Sequence, residues 1–375
     1  MKRIEIIDKF TEESFLNTFL QYSLNKYESG ERVIIDLSCC KWIDHEVIPD
    51  MLIFGEILKR EKGIVAEIYV PRDGIYVQRI RNYLKDIHFI ELAEQKGLFD
   101  VRYITDYMTK SDREDRMMPD YCMTCAYSIE DSCRDGLLER KYTVKEKTQK
   151  IAAIMEQEIA NKYSGIFQNF LSQFFYGREE NRKDGKKEWV SYNLIQYFIT
   201  QIAKNSLVHG QQQVYISMQG NVMTNKCTIS ISDNGMGITR SLEEKIMEEK
   251  SALQQKKRVE KKILSILATD TFLNYPQFQK DVFASIEALA YRYDDTIYGL
   301  YNMLNEVLSV KGELHIHTGM ALIILKEDCK ERIINAENRS EFAMGLYNYL
   351  NQNRSNLIRT EEFHGTHVKL IIPIN

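Results

Sequence analysis

No run of about 18 or more apolar residues occurs in the chain, which leaves no candidate for a membrane-spanning helix. The start, Met1-Lys-Arg-Ile-Glu-Ile-Ile-Asp8, also lacks the apolar core of a signal peptide. Basic excess is missing too: 50 Lys and Arg stand against 54 Asp and Glu, for a net charge of −4 and a pI near 6.1. That balance argues against a nucleic-acid partner, whose affinity rests on neutralised phosphates. The short basic runs Lys186-Lys187 and Lys256-Lys257-Arg258 sit among acids and read as solvated faces. Seven cysteines without a secretory leader fit a reducing compartment, where disulfides are not expected. Repeats and low-complexity tracts are absent. A cytoplasmic protein without membrane contact is expected. Histidine is missing from the whole stretch Phe89 to Val208.

What is present is ample core material. Of 375 residues, 44% are hydrophobic and 11% aromatic, enough for two or three domains. The first 105 residues alternate strand and helix. Arg3–Ile7, Val33–Ser38 and Ala66–Val70 read as strands, and Glu13–Leu20, Val47–Arg60 and Val77–Leu84 as helices. Residues 106–185 form a polar, cysteine-containing linker followed by a helix-compatible stretch from Tyr142 to Phe175. Within it, Cys122, Cys125 and Cys133 raise the question of zinc, but a structural site needs four ligands and no nearby histidine completes one. Dispersed thiols are the plainer reading, as core thiols are for Cys39-Cys40.

Two short stretches in the C-terminal half carry chemistry. Gln201-Ile-Ala-Lys-Asn205-Ser-Leu-Val-His209-Gly210 ends an amphipathic helix. Cys227–Ser232 alternates as a strand and delivers Asp233 to its end, followed by Asn-Gly235-Met-Gly237. A carboxylate there can accept from an exocyclic amine such as that of adenine. Glycines without Cβ let the backbone turn sharply and lie close to a flat ring. The amide oxygen of Asn205 is a hard ligand suited to Mg²⁺. Further on, Gly299-Leu300 opens a helical pattern, and a glycine at such a start lets N–H groups face a phosphate. Phe363-His-Gly365-Thr366 then leads into a terminal strand. Taken alone, Asp-Asn-Gly is a common turn signal.

As an ordered set, these segments resemble the N, G1, G2 and final boxes of the GHKL ATP-binding superfamily, over roughly residues 188 to 374. The resemblance implies a two-layer α/β sandwich binding ATP with Mg²⁺. Asp233 would read adenine, Asn205 would hold the metal, and His209, Gly235, Gly237, Gly299, Leu300 and Thr366 would shape the pocket. It also implies a lid between the G1 and G2 segments, residues 239–297, with helices over Ser241–Ile266 and Gln277–Tyr293. Asp270–Tyr275 reads as a break between them, and the loop Thr269–Pro276 is the hinge candidate; a helical insertion without motion is the alternative. Two positions depart from the pattern. Gln201 stands where the family's ATPases and serine kinases usually carry a catalytic Glu, and an amide is no general base near neutral pH. Ile297 replaces a second G2 glycine. The histidine-free stretch removes the phosphoacceptor that a sensor kinase would need in cis.

The N-terminal order resembles a STAS domain, most closely at Arg32-Val-Ile-Ile-Asp36-Leu-Ser-Cys-Cys-Lys-Trp42-Ile-Asp44. His45 and Glu46 occupy the places of the serine that phospho-switched members carry, so docking rather than a switch is implied. The expected fold is α/β: a STAS-like sandwich over 1–105, a helical linker over 106–185 and a GHKL domain over 186–375. The implied function is nucleotide-dependent control of a protein partner through the STAS-like domain or the lid. A slow ATPase or Ser/Thr kinase using Gln201, and a scaffold with a degenerate pocket, remain as alternatives. A homodimer stays open. The pairs His315/His317 and His364/His367 are read as solvated strand positions.

Overall fold

A computed structural model describes residues 1–18, 26–70, 75–103, 121–128, 202, 205–206, 213–221, 226–254, 264–290, 300–333 and 335–373. The protein is mixed α/β, with parallel and antiparallel strands. It forms two compact units. The first is Met1–Tyr127 with Tyr215–Ser232 and Ile374–Asn375; the second is Ser128–Val214 with Asp233–Pro373. Residues 215–232 therefore group with the N-terminal residues rather than with the remainder of 186–375.

The N-terminal strands β1 (Lys2–Phe10), β2 (Val33–Ile43), β3 (Ala66–Val70) and β4 (Phe99–Tyr103) make a four-stranded sheet in that order. All three pairings are parallel. Between them run α1 (Glu12–Thr18), α2 (Val47–Lys62), α3 (Ile75–Asp86) and α4 (Phe89–Lys96). Alternation sorts the sheet's faces. Ile4, Ile6, Ile35, Leu37, Ala66, Ile68 and Val70 are buried, while Arg3 and Glu5 lie on the other, polar face. There Arg32 grips Glu67 through two hydrogen bonds of 2.6 and 2.9 Å, which hold that carboxyl down to about 2. Arg3 pairs with the buried Asp36 in the same way. Of the adjacent thiols, Cys40 is buried as expected but Cys39 is exposed.

Helix α2 is the centre of the first unit. Every residue from Val47 to Gly55 is buried, as are Ile57 and Leu58, so the helix is enclosed on all sides. It ends where the basic residues Lys59, Arg60 and Lys62 meet its C-terminal dipole and Gly63 takes the left-handed cap at φ 66°. At Gly55 it approaches β4 so closely that a Cβ would fall 2.4 Å from the Phe99 ring. Its polar side chains meet the strands β6 (Gln213–Asn221) and β7 (Lys226–Asp233). The Ser232 hydroxyl donates to Asp50 at 2.6 Å, and the Tyr215 hydroxyl donates to Glu56 at 3.0 Å. His45 Nε2 lies 3.2 Å from the Thr228 carbonyl. Burial pushes the Glu56 carboxyl up.

In the first unit a second sheet runs in the order β5-β6-β7. Its β5 (Tyr121–Ser128) falls inside the stretch expected to be linker, so Cys122 and Cys125 belong to a strand. In the second unit, β8 (Glu313–Leu325) and β9 (Leu357–Pro373) pair antiparallel. The unit's helices are α5 (Gly237–Gln254), α6 (Thr269–Asn274), α7 (Gln277–Ala290), α8 (Leu300–Ser309), α9 (Lys330–Ile333) and α10 (Arg339–Gln352), of which α5, α7 and α8 pack on this pair. The break expected at Asp270–Tyr275 is helix α6 instead, anchored by the fully buried Phe272. A small core of Ile246, Leu264, Phe272, Phe283 and Ala284 ties α5, α6 and α7 together. Tyr275 and Tyr347 stack on either side of Phe283, at 5.5 and 5.3 Å between ring centroids. The segment Thr269–Pro276, expected as a loop, is thus helical from Thr269 to Asn274.

The strand histidines also differ from expectation. His315, His317 and His367 are buried, with His317 directly across from His367 and His315 across from Lys369. His317 lies 2.9 Å from the Thr360 hydroxyl and stacks on Phe363.

Candidate functional site

Asp233 ends β7 in the second unit and is buried at 4% exposure. Its Oδ1 accepts from the Gly235 N–H at 2.9 Å, the turn that an Asp makes with the residue two positions on. The same oxygen accepts from the Thr366 N–H at 3.3 Å, across a separation of 133 residues. The Ser206 side chain adds a hydrogen bond to the carboxylate. Burial pushes the Asp233 carboxyl up to about 6, and the Gly235, Ser206 and Thr366 donors oppose that rise. Next to it, Asn234 ties the strand ends: its Oδ1 accepts from the Gln213 N–H at 3.0 Å.

The glycines around Asp233 are dictated by contact. Between Thr318↔Thr366 and Gly319↔Phe363 the β8–β9 register slips, so His364 and Gly365 have no partner across the ladder. This bulge puts Gly365 at φ +88°. A Cβ there would lie 1.8 Å from the Asp233 carbonyl oxygen, so only glycine fits. Gly237, at φ +76°, opens α5 with its Cβ position 3.0 Å from Thr318 Oγ1 and 3.1 Å from the Gly365 carbonyl oxygen. Thr318 Oγ1 accepts from the Ile238 N–H at 3.1 Å and donates to the Gly365 carbonyl at 3.3 Å. Three chain segments thus meet around one buried carboxylate.

Of the residues singled out in the sequence, the structure brings together Asp233, Gly235, Gly237 and Thr366. Asn205 is half-buried and directly precedes Ser206. Leu300 starts α8, as the apolar spacing predicts. Gln201, His209 and Gly299 lie outside the described residues, as does Cys133. Sequence reasoning missed Ser206, Thr318 and Asp281. Ser206 could have been suspected from its place beside Asn205; nothing local marks the other two.

Among the described residues no cluster of three or more His, Cys, Asp or Glu could hold a metal. Asn205, half-buried beside Ser206, carries an amide oxygen, a donor type that hard cations accept. Also among the described residues, no helix is long and apolar enough to cross a membrane. Comparison with protein-family models, curated proteins and solved structures gave no match.

Proposed function

We propose that the Asp233 site binds an adenine nucleotide with Mg²⁺, in a GHKL-type domain joined to a STAS-like N-terminal sheet. Nucleotide occupancy then controls a protein partner in a cytoplasmic setting. The observation that carries this reading is the Asp233–Thr366 contact. Two segments that the sequence resemblance pairs, far apart in the chain, meet through a backbone N–H and a buried carboxylate. Ser206, beside Asn205, brings the third segment to the same carboxylate. Asp233 offers an acceptor to an exocyclic amine, and Gly235 and Gly237 keep the adjoining backbone free of side chains. Asn205 offers its amide oxygen to Mg²⁺.

Calorimetric titration of the full chain with ATP, with and without Mg²⁺, and with adenosine tests this. Binding of adenosine should depend on Asp233. Its replacement by Asn should weaken adenosine and ATP by about 1.5–3 kcal/mol, more than tenfold in affinity. An Asp233→Asn protein that binds ATP as tightly as wild type removes the adenine-reading role.

A further inference from the structure

We propose that Asp281 is a positioning residue for the Asp233 site, holding the two backbone segments, the start of α5 at Gly237 and the part of β8 that bears on Gly365-Thr366, which pack around that carboxylate. Asp281 sits on α7, with 0% exposure. Its two oxygens are divided between the two elements that shape the site. Oδ1 accepts from the Thr239 hydroxyl at 2.5 Å, fixing the first turn of α5, and from Gln277 Nε2 at 2.8 Å. Oδ2 accepts from the Met320 N–H at 2.8 Å, fixing the irregular part of β8.

The neighbouring residues on each element then bond one another. Ile238 precedes Thr239 and gives its N–H to Thr318, which stands two residues before Met320 and bonds the Gly365 carbonyl. Gly365 in turn lies against the Asp233 backbone, and Thr366 donates to its carboxylate. The fit around Asp281 is tight. Gly319 takes φ +55°, and a Cβ on it would fall 2.3 Å from Asp281 Oδ2. The β8 irregularity is built around this carboxylate.

Burying an acid is costly, and an apolar residue of similar size would pack at less cost. Three directed donors account for its presence: they specify where two backbone segments lie, which an apolar side chain cannot do. For nucleotide affinity the inference rests on the reading of the site given above; for the geometry of Asp233 it does not.

The test separates the two. Asp281→Asn keeps the volume but turns one acceptor into a donor facing the Met320 N–H or the Thr239 and Gln277 donors. In the ligand-free full chain, the amide resonances of Gly235 and Thr366 should follow the titration of Asp233. Asp281→Asn should move that midpoint by half a pH unit or more and lower the hydrogen-exchange protection of the Thr366 and Ile238 amides. Thr318→Val should do the same, and the double variant should add little, because both act along one path. In calorimetry, Asp281→Asn should weaken adenosine about tenfold. Unchanged midpoint and protection in a folded Asp281→Asn protein would overturn the positioning role, even if its melting temperature falls. Should wild type bind no adenine nucleotide, the nucleotide reading falls, while the amide titration still decides for or against Asp281.

Discussion

Replacing Asp233 by Asn should cost the protein its ligand and make the ligand-free fold more stable. Burial moves this carboxyl from its ordinary 3.8 to about 6. A shift of about two units corresponds to roughly 3 kcal/mol of penalty for the ionised form at pH 7. The sign follows from proton uptake. With the folded-state value above the unfolded one, the native state binds the extra proton between about pH 4 and 6. The stability held by the protonated form is complete below about pH 4 and is lost as pH rises through about 6. In Asp233→Asn the Gly235 and Thr366 N–H groups keep an acceptor, but no charge is buried. Urea unfolding without nucleotide should therefore show a gain of about 1–3 kcal/mol at pH 7. The variant should also lack this group's loss of stability between pH 4 and 6. An amine donor prefers the ionised acid, so wild-type affinity for adenosine should fall as pH drops through about 6, and the variant's weak binding should not. A variant less stable than wild type at pH 7, with the wild-type slope between pH 4 and 6, would refute the assignment of burial as the controlling force.

Substitutions at three other positions probe the site from different sides. Gly365→Ala drives a Cβ to 1.8 Å from the Asp233 carbonyl oxygen at φ +88°, so adenosine binding should be lost, with destabilisation of about 2 kcal/mol or more in urea. Asn205→Ala should weaken Mg²⁺-dependent ATP binding in calorimetry while leaving metal-free adenosine binding in place; equal loss of both would point to a damaged helix. Turnover of ATP by wild type should lie well below once per second, because Gln201 cannot accept a proton at neutral pH and a general base is typically worth about 10²–10⁴-fold. Gln201→Glu should raise phosphate release in a coupled assay, and brisk wild-type hydrolysis insensitive to Gln201→Ala would put the base elsewhere.

The elements legible in the sequence are those whose own residues settle their conformation. Strands β2, β3 and β7 are β-branched and alternate, and α2 is bounded by Gly63. Asp233, Gly235 and Gly237 were legible for the same reason, since an acid at a strand end followed by spaced glycines is a local pattern. What escaped was set at a distance. β5 is a mixture of polar, sulfur-containing and aromatic residues that becomes a strand beside β6, and α6 owes its helix to the seat of Phe272 in the core formed with α5 and α7. Buried His317 is stacked on Phe363, far along the chain. The bonds by which Thr318 and Asp281 tie the site together reach partners 47, 80, 42 and 39 residues away, which no spacing rule marks.

The enclosure of α2 has a consequence for how the chain is made. Its hydrogen bonds from Ser232 to Asp50 and from Tyr215 to Glu56 form only when β6 and β7 arrive, and Ser232 is synthesised some 130 residues after β4 ends. At typical synthesis speeds of about 5–20 residues per second, that is a wait of roughly 6–26 s. For that interval the nascent N-terminal sheet carries a helix that has not yet met the Tyr215 and Ser232 hydroxyls. A gene cut at the motif boundary near residue 186 would yield two fragments, each missing part of a shared core.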